Sequence, residues 1–171
     1  MKYLKIILLL LLTSLFTYAQ KVGYVDTDYI LANIPDYKAA QGELDKTAAD
    51  WQKEIDAKYA EIDKLYKAYQ ADALLLTEDM RKKRENEIVN REKEVRDLQK
   101  QRFGVDGELF KKRQELVKPI QDKVYNAVKA VAEKKGIAII FDKSGAVTLL
   151  YTNSKYDMSE EVIQQLGVKK K

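Results

Sequence analysis

The chain has 171 residues, 31 of them basic and 27 acidic, with no cysteine and no histidine. Thiol and imidazole catalysis and the usual zinc ligand sets are thereby excluded, and no disulfide can brace the fold. Charged residues form 34% of the sequence yet nearly cancel, so any strong field has to be local.

At the N-terminus, Lys2 and Lys5 precede an apolar run from Ile6 to Leu12 that Leu15 and Phe16 continue, and Thr17-Tyr18-Ala19 follows at a cleavage spacing. This is the pattern of a secretory signal over residues 1–19, cleaved after Ala19, which makes Gln20 the first mature residue. Its removal leaves 29 basic against 27 acidic residues. "KVGYVDTDYIL" then opens on a short, mostly apolar strand, Val22 to Val25.

From Asp36 to Lys118 there is no proline, and glycine occurs only at 42, 104 and 107, the composition of long exposed helices. Leu44, Ala48, Trp51, Ile55, Tyr59, Ile62, Tyr66, Tyr69, Ala73 and Leu76 recur in steps of three and four with one stutter, which predicts a coiled-coil seam. A weaker seam runs through Ile88, Val95, Leu98, Val105, Leu109 and Leu116, with Arg91, Arg102 and Lys112 between. Folding the chain at "LLLTEDM" makes the seams meet: Thr77 suits a helix N-cap, and Glu78 and Asp79 favour the positive helix end. Facing residue numbers then sum to about 154, pairing Leu44 with Phe110, Trp51 with Phe103, Ile55 with Leu98, Tyr59 with Val95 and Tyr66 with Ile88. Pro35 and Pro119 lie 42 positions either side of Thr77, each placed to start, break or kink a helix.

Two antiparallel helices of about 40 residues predict an arm on the order of 60 Å long, residues 35–118, with its tip near 74–80. Gly104 and Gly107 read as loosening its second helix. At the tip, Leu74, Leu75 and Leu76 either cap the last turn or touch a partner, and "RKKR" at 81–84 concentrates positive charge beside them.

After Pro119, Ile120, Val124, Ala127, Val128 and Val131 mark one face of an amphipathic helix that Gly136 closes. "IAIIF" and "VTLLY" read as two strands joined by "DKSG", and Ser159 with Glu160 and Glu161 caps a last short helix ending near Gly167. The fold class is α+β, mostly α: a long antiparallel helical hairpin projecting from a small β-containing body made of 20–34 and 119–171. A body this small with open strand edges is expected to oligomerise.

"KVGYVDTDYILANIPDYKAAQ" and "VKPIQDKVYNAVKAVAEKKGIAIIFDKSGAVTLLYTNSKYDMSEEVIQQLG" resemble the Skp, or OmpH-like, family of periplasmic chaperones, whose order of signal, strand, helical hairpin, helix and two strands also matches. The resemblance implies a homotrimer with a central β body and three helical arms around a cavity. It also implies a periplasmic holdase, working without ATP or any cofactor, that keeps unfolded outer-membrane proteins from aggregating and delivers them for assembly. Enterobacterial members are markedly basic, whereas this mature chain is near neutral, so membrane lipid headgroups enter only as a weak partner.

The residues assigned to client contact are Tyr69, Leu74, Leu75, Leu76 and Met80, with Arg81, Lys82, Lys83 and Arg84 for electrostatic capture. No enzyme site is found: "DTD" at 26–28 is loop chemistry rather than a metal site, and Gly104 and Gly107 lack the strand and lysine of a phosphate loop. The rival class is an envelope tether, a coiled-coil spacer binding one folded partner. Nucleic acid is not a partner, because export and a near-neutral charge both oppose it.

Overall fold

The structure, a computed structural model, describes residues 21–145 and 149–168. The expected signal, residues 1–19, lies outside the described residues, as do Val147 and Thr148 of the expected strand "VTLLY". Leu149 to Tyr151, its remainder, carry no strand. The chain divides into two compact units, one ending at Asn33 and resuming at Val124, the other Ile34–Lys123.

In the first unit, strand β1 (Lys21–Val25) leads directly into helix α1 (Thr27–Asn33). Asp26 makes that turn: its carboxylate accepts from the Tyr29 N–H at 3.0 Å, an N-cap contact, and pairs with Lys143 at 3.3 Å. The "DTD" carboxylates thus include a structural cap. Strand β2 (Ile137–Asp142) pairs with β1 in parallel, with a register irregularity between Lys21 and Val22. On its other side β1 forms a single bridge from Tyr24 to Asp157, and the Met158 N–H donates to the Tyr24 carbonyl at 2.9 Å. Asp142 ties the end of β2 to the start of α1, accepting from the Thr27 N–H at 3.2 Å and from its hydroxyl at 2.6 Å. These bonds, with two from Ser144, hold the Asp142 carboxyl below its ordinary pKa although burial pushes it up.

A 3₁₀ turn (Ser154–Tyr156) precedes the last helix, Ser159–Gln165. Ser159 does not cap it. Asp157 takes the Ser159 N–H at 2.9 Å, and the Ser159 hydroxyl is buried, accepting from the Asp26 N–H at 2.9 Å. This helix packs on α1, where Ile30 and Val162 are fully buried.

The second unit holds α2 (Pro35–Asp72), which starts on Pro35 as its first residue, and α3 (Glu78–Phe103), packed on it antiparallel. The core between them is Ile55, Ile62, Ile88 and Val95, with Leu65, Tyr69, Leu98 and Phe103 packed against it. Trp51 and Phe103 meet edge to face at 6.3 Å, the pairing that the seams predict. Tyr59 and Tyr66, expected in the seam, are exposed instead. A single partner helix covers one narrow stripe, and Ile55, Ile62 and Tyr69, seven residues apart, fill it.

The second run of the hairpin is not one helix. It stops at Phe103 and resumes as α4 (Glu108–Lys135), so Gly104 and Gly107 break the helix rather than loosen it, and Val105 is 89% exposed rather than in a seam. Pro119 neither starts nor breaks α4; it sits inside it. Glu115 and Pro119 are both exposed, where water can replace the backbone bond that proline cannot make. Ile120, Val124, Ala127 and Val131 are buried, as their periodicity predicts. Gly136, at φ +64°, closes α4 in the left-handed conformation that glycine tolerates best.

Candidate functional site

The turn between α2 and α3 places the expected contact residues together. Thr77 restarts the chain as a helix: its hydroxyl accepts from the Met80 N–H at 3.4 Å and its carbonyl from the Arg81 N–H at 2.9 Å. With the ends so fixed, Leu74 and Leu75 are 97% and 85% exposed and Met80 is 52% exposed, while Leu76 is half-buried. Leu74 and Leu75 therefore do not cap the hairpin by packing; water covers them. Three apolar side chains within seven residues of the turn are thus exposed, too few to make a large apolar patch.

Tyr69, one turn below, is half-buried against the core cluster. Its hydroxyl donates to Glu85 across the hairpin, and that bond, with burial and the carboxylate's charge, raises the phenol's pKa. Tyr69 is thus chiefly a cross-helix fastener.

The basic run is largely answered within its own helix. Lys82 pairs with Glu78 at 3.8 Å, Arg84 with Glu87 at 3.5 Å, and the Arg81 Nε–H donates to the Leu76 carbonyl at 3.4 Å. Residues 78–87 carry four basic and four acidic side chains, so the segment that holds the run has no net charge. Such exposed pairs contribute about 0–1 kcal/mol each and are readily exchanged. Lys83 carries no ion pair among the described residues.

A groove of about 820 Å³ runs beside the seam, with Ile62, Leu65, Val95 and Leu98 in its floor and charged residues of both signs on its rim. The seam spacing includes Ile62, Val95 and Leu98 but not Leu65, and by itself it does not reveal the groove. In the first unit, a second concavity of about 610 Å³ lies beside β1, lined by Val22, Tyr24, Phe141, Leu149, Tyr151 and Tyr156. Val22, Ile139, Phe141, Leu150 and Tyr151 are all exposed around the sheet. Among the described residues no cluster of acidic side chains could hold a metal ion, and no helix is long and apolar enough to cross a membrane.

The profile of the family described as "Outer membrane protein (OmpH-like)" matches residues 21–166. An uncharacterized protein of Aquifex aeolicus (strain VF5) is 31% identical over 162 residues, 95% of each chain. A protein named "Chaperone protein Skp" from Vibrio cholerae serotype O1 is 27% identical over 150 residues, covering 86% of this chain and 84% of that one. The crystal structure of an OmpH-like protein from Caulobacter crescentus CB15 shares the fold at a TM-score of 0.68 and 15% identity, covering 86% of this chain and 84% of that one. The long helices packed antiparallel, the small two-stranded sheet and the match across nearly the whole described chain place this protein in the Skp/OmpH-like family.

Proposed function

We propose that this protein is an ATP-independent holdase chaperone of the periplasm, which binds unfolded outer-membrane proteins, keeps them from aggregating and delivers them for assembly. The observation that carries this reading is the family match over residues 21–166, which spans the hairpin and both segments of the sheet. On this reading residues 1–19 are a signal peptide cleaved after Ala19. Residues 35–118 serve as the arm, and 20–34 with 119–171 form a body that assembles as a homotrimer. A two-stranded sheet bearing exposed Val22, Ile139 and Phe141 is too small to be stable alone, which supports burial against other copies.

Client contact falls to Leu74, Leu75 and Met80 at the turn, where apolar surface is already in water and needs no opening, with Leu76 and Tyr69 behind them. Arg81, Lys82, Lys83 and Arg84 capture acidic clients by exchanging intrahelical carboxylates for the client's. An unfolded barrel strand alternates apolar and polar residues, so many weak and movable contacts suit it better than one deep pocket.

The test is to dilute a urea-unfolded outer-membrane barrel into buffer with and without the purified protein, following light scattering and the mass of the soluble complex. The expected result is suppression without ATP, in a complex of three chains and one client. Unchanged scattering would abandon the holdase and favour a tether for one folded envelope partner.

A further inference from the structure

The interruption between α3 and α4 is a built feature. The Gly104 N–H donates to the Lys100 carbonyl at 2.8 Å, the Gly107 N–H to Gly104 at 2.9 Å, and the Lys111 N–H to Gly107 at 3.1 Å. A Cβ on Gly104 would collide with the Lys100 carbonyl oxygen. One on Gly107 would stand 2.8 to 2.9 Å from backbone atoms of Gly104, Arg102 and Gln101. Both positions therefore require glycine, and the register survives the break: Lys112 pairs with Glu43 at 2.7 Å on one side and Trp51 meets Phe103 on the other, each close to the sum predicted for facing residues.

Charge spans the gap. Gln101 Nε2 donates to Glu108 Oε1 at 2.7 Å, and Arg102 Nη1 donates to the other oxygen of the same carboxylate. The Arg102 guanidinium also lies over the Trp51 ring at 4.5 Å and 3.7 Å from Glu54, both on α2. One residue before the break thus holds one after it and two on the opposing helix. The arrangement is not fully satisfied, since Arg102 Nε is buried without an acceptor. At this level only α2 has an unbroken hydrogen-bond ladder.

We propose that Gly104–Gly107 is a joint in the hairpin and that Arg102, Gln101 and Glu108 form its clasp. With the clasp closed, α3 and the start of α4 are held in line; with it open, the hairpin bends about α2. Because the clasp is ionic and partly exposed, salt loosens it, whereas the apolar seam at Ile55, Ile62, Ile88 and Val95 is not screened. The device acts with or without a client, so its test is independent of the holdase reading.

A cysteine-free chain accepts a unique label pair, and Lys93→Cys with Gln114→Cys, both exposed, brackets the joint. Pulsed electron paramagnetic resonance on the purified full chain, diluted with excess unlabelled protein, reads the distance distribution, and hydrogen exchange reads the amides of Gly104, Gly107 and Lys111. Glu108→Gln and Arg102→Gln are expected to broaden the distribution and speed exchange at those amides about ten-fold, with Ile62 and Val95 unchanged. Added salt should do the same to the parent chain. Gly104→Ala/Gly107→Ala, whose methyl groups collide with the backbone of residues 100–104, should displace the distribution from the parent distance and lower stability; if that variant fails to fold, the two clasp variants decide alone. Parent-like width and exchange in both clasp variants would make the break a rigid turn. Exchange rising equally at Ile62 and Val95 would mean that the charges stabilise the whole hairpin. Either result overturns the joint.

Discussion

At residues 73–77 the helix ends with Leu74 and Leu75 in water and restarts on the Thr77 hydroxyl; at 104–107 it ends on a glycine, and the gap is spanned by Arg102, Gln101 and Glu108. Both leave apolar surface in water, Leu74 and Leu75 at the turn and Val105 at the break, but only the break is tied across by side-chain hydrogen bonds and an ion pair. An interruption that serves only the fold has no need of exposed leucines, and a surface kept for contact has no need of a clasp. The difference separates what the hairpin uses on itself from what it holds out.

Substitutions should pull the two regions apart, and the largest effect belongs to the break. Trp51→Ala removes the seat of Arg102 and the edge of Phe103 together, and should lower unfolding stability by about 2–3 kcal/mol in urea melts followed by helical signal. A loss below that of an ordinary surface substitution would show that Trp51 supports nothing. At the turn, Leu74→Ser with Leu75→Ser should leave stability within about 0.5 kcal/mol and the oligomer mass unchanged while client affinity drops several-fold. Parent affinity in that variant removes the leucines from the contact surface. Thr77→Ala should cost about 0.5 kcal/mol, the low end for a cap, because its bond to Met80 is long at 3.4 Å.

The smallest effects are in pH, and they have opposite signs. Hydrogen bonds from Gln101 and Arg102 lower the Glu108 pKa, so its contribution is present above the ordinary carboxylate range and is lost as pH falls through the depressed value. The bond to Glu85 raises the Tyr69 pKa, so that contribution is present below the ordinary phenol range and is lost as pH rises through the raised value. Protection of the joint amides, relative to their intrinsic exchange at each pH, should therefore fall first in acid, and protection near Tyr69 first in alkali. Glu108→Gln and Tyr69→Phe should each flatten its own limb.

Much of the hairpin was legible because coiled-coil spacing is a strong signal: the turn at Thr77, the Trp51–Phe103 pair and the facing sum all follow from it. Tyr59 and Tyr66 were misplaced because spacing alone does not say how narrow a stripe one partner helix can cover. The break escaped because "GVDG", a turn signal by itself, stands amid strong helix formers, and only backbone crowding shows that both glycines are needed. In the first unit, α1 is hard to read from sequence because its cap, Asp26, looks like loop chemistry, and Ser159 resembles a cap because nothing local shows its bond to Asp26, 133 residues away. Of the proposed contact residues, type was readable and exposure was not: Leu74, Leu75 and Leu76 are alike in sequence, yet only the first two stand in water.

The parallel pairing of β1 with β2 also sets an order of events. Val25 is the last residue of one strand and Ile137 the first of the other, and their ladder cannot form until the more than 110 residues between them have been made. The first described segment to be synthesised is therefore among the last to find its place, while the hairpin, with its near neighbours in sequence, can zip from Thr77 downward at once. A strand waiting that long is itself an unfolded, apolar, aggregation-prone segment, so during its own maturation the chain passes through the same predicament as the clients proposed for it.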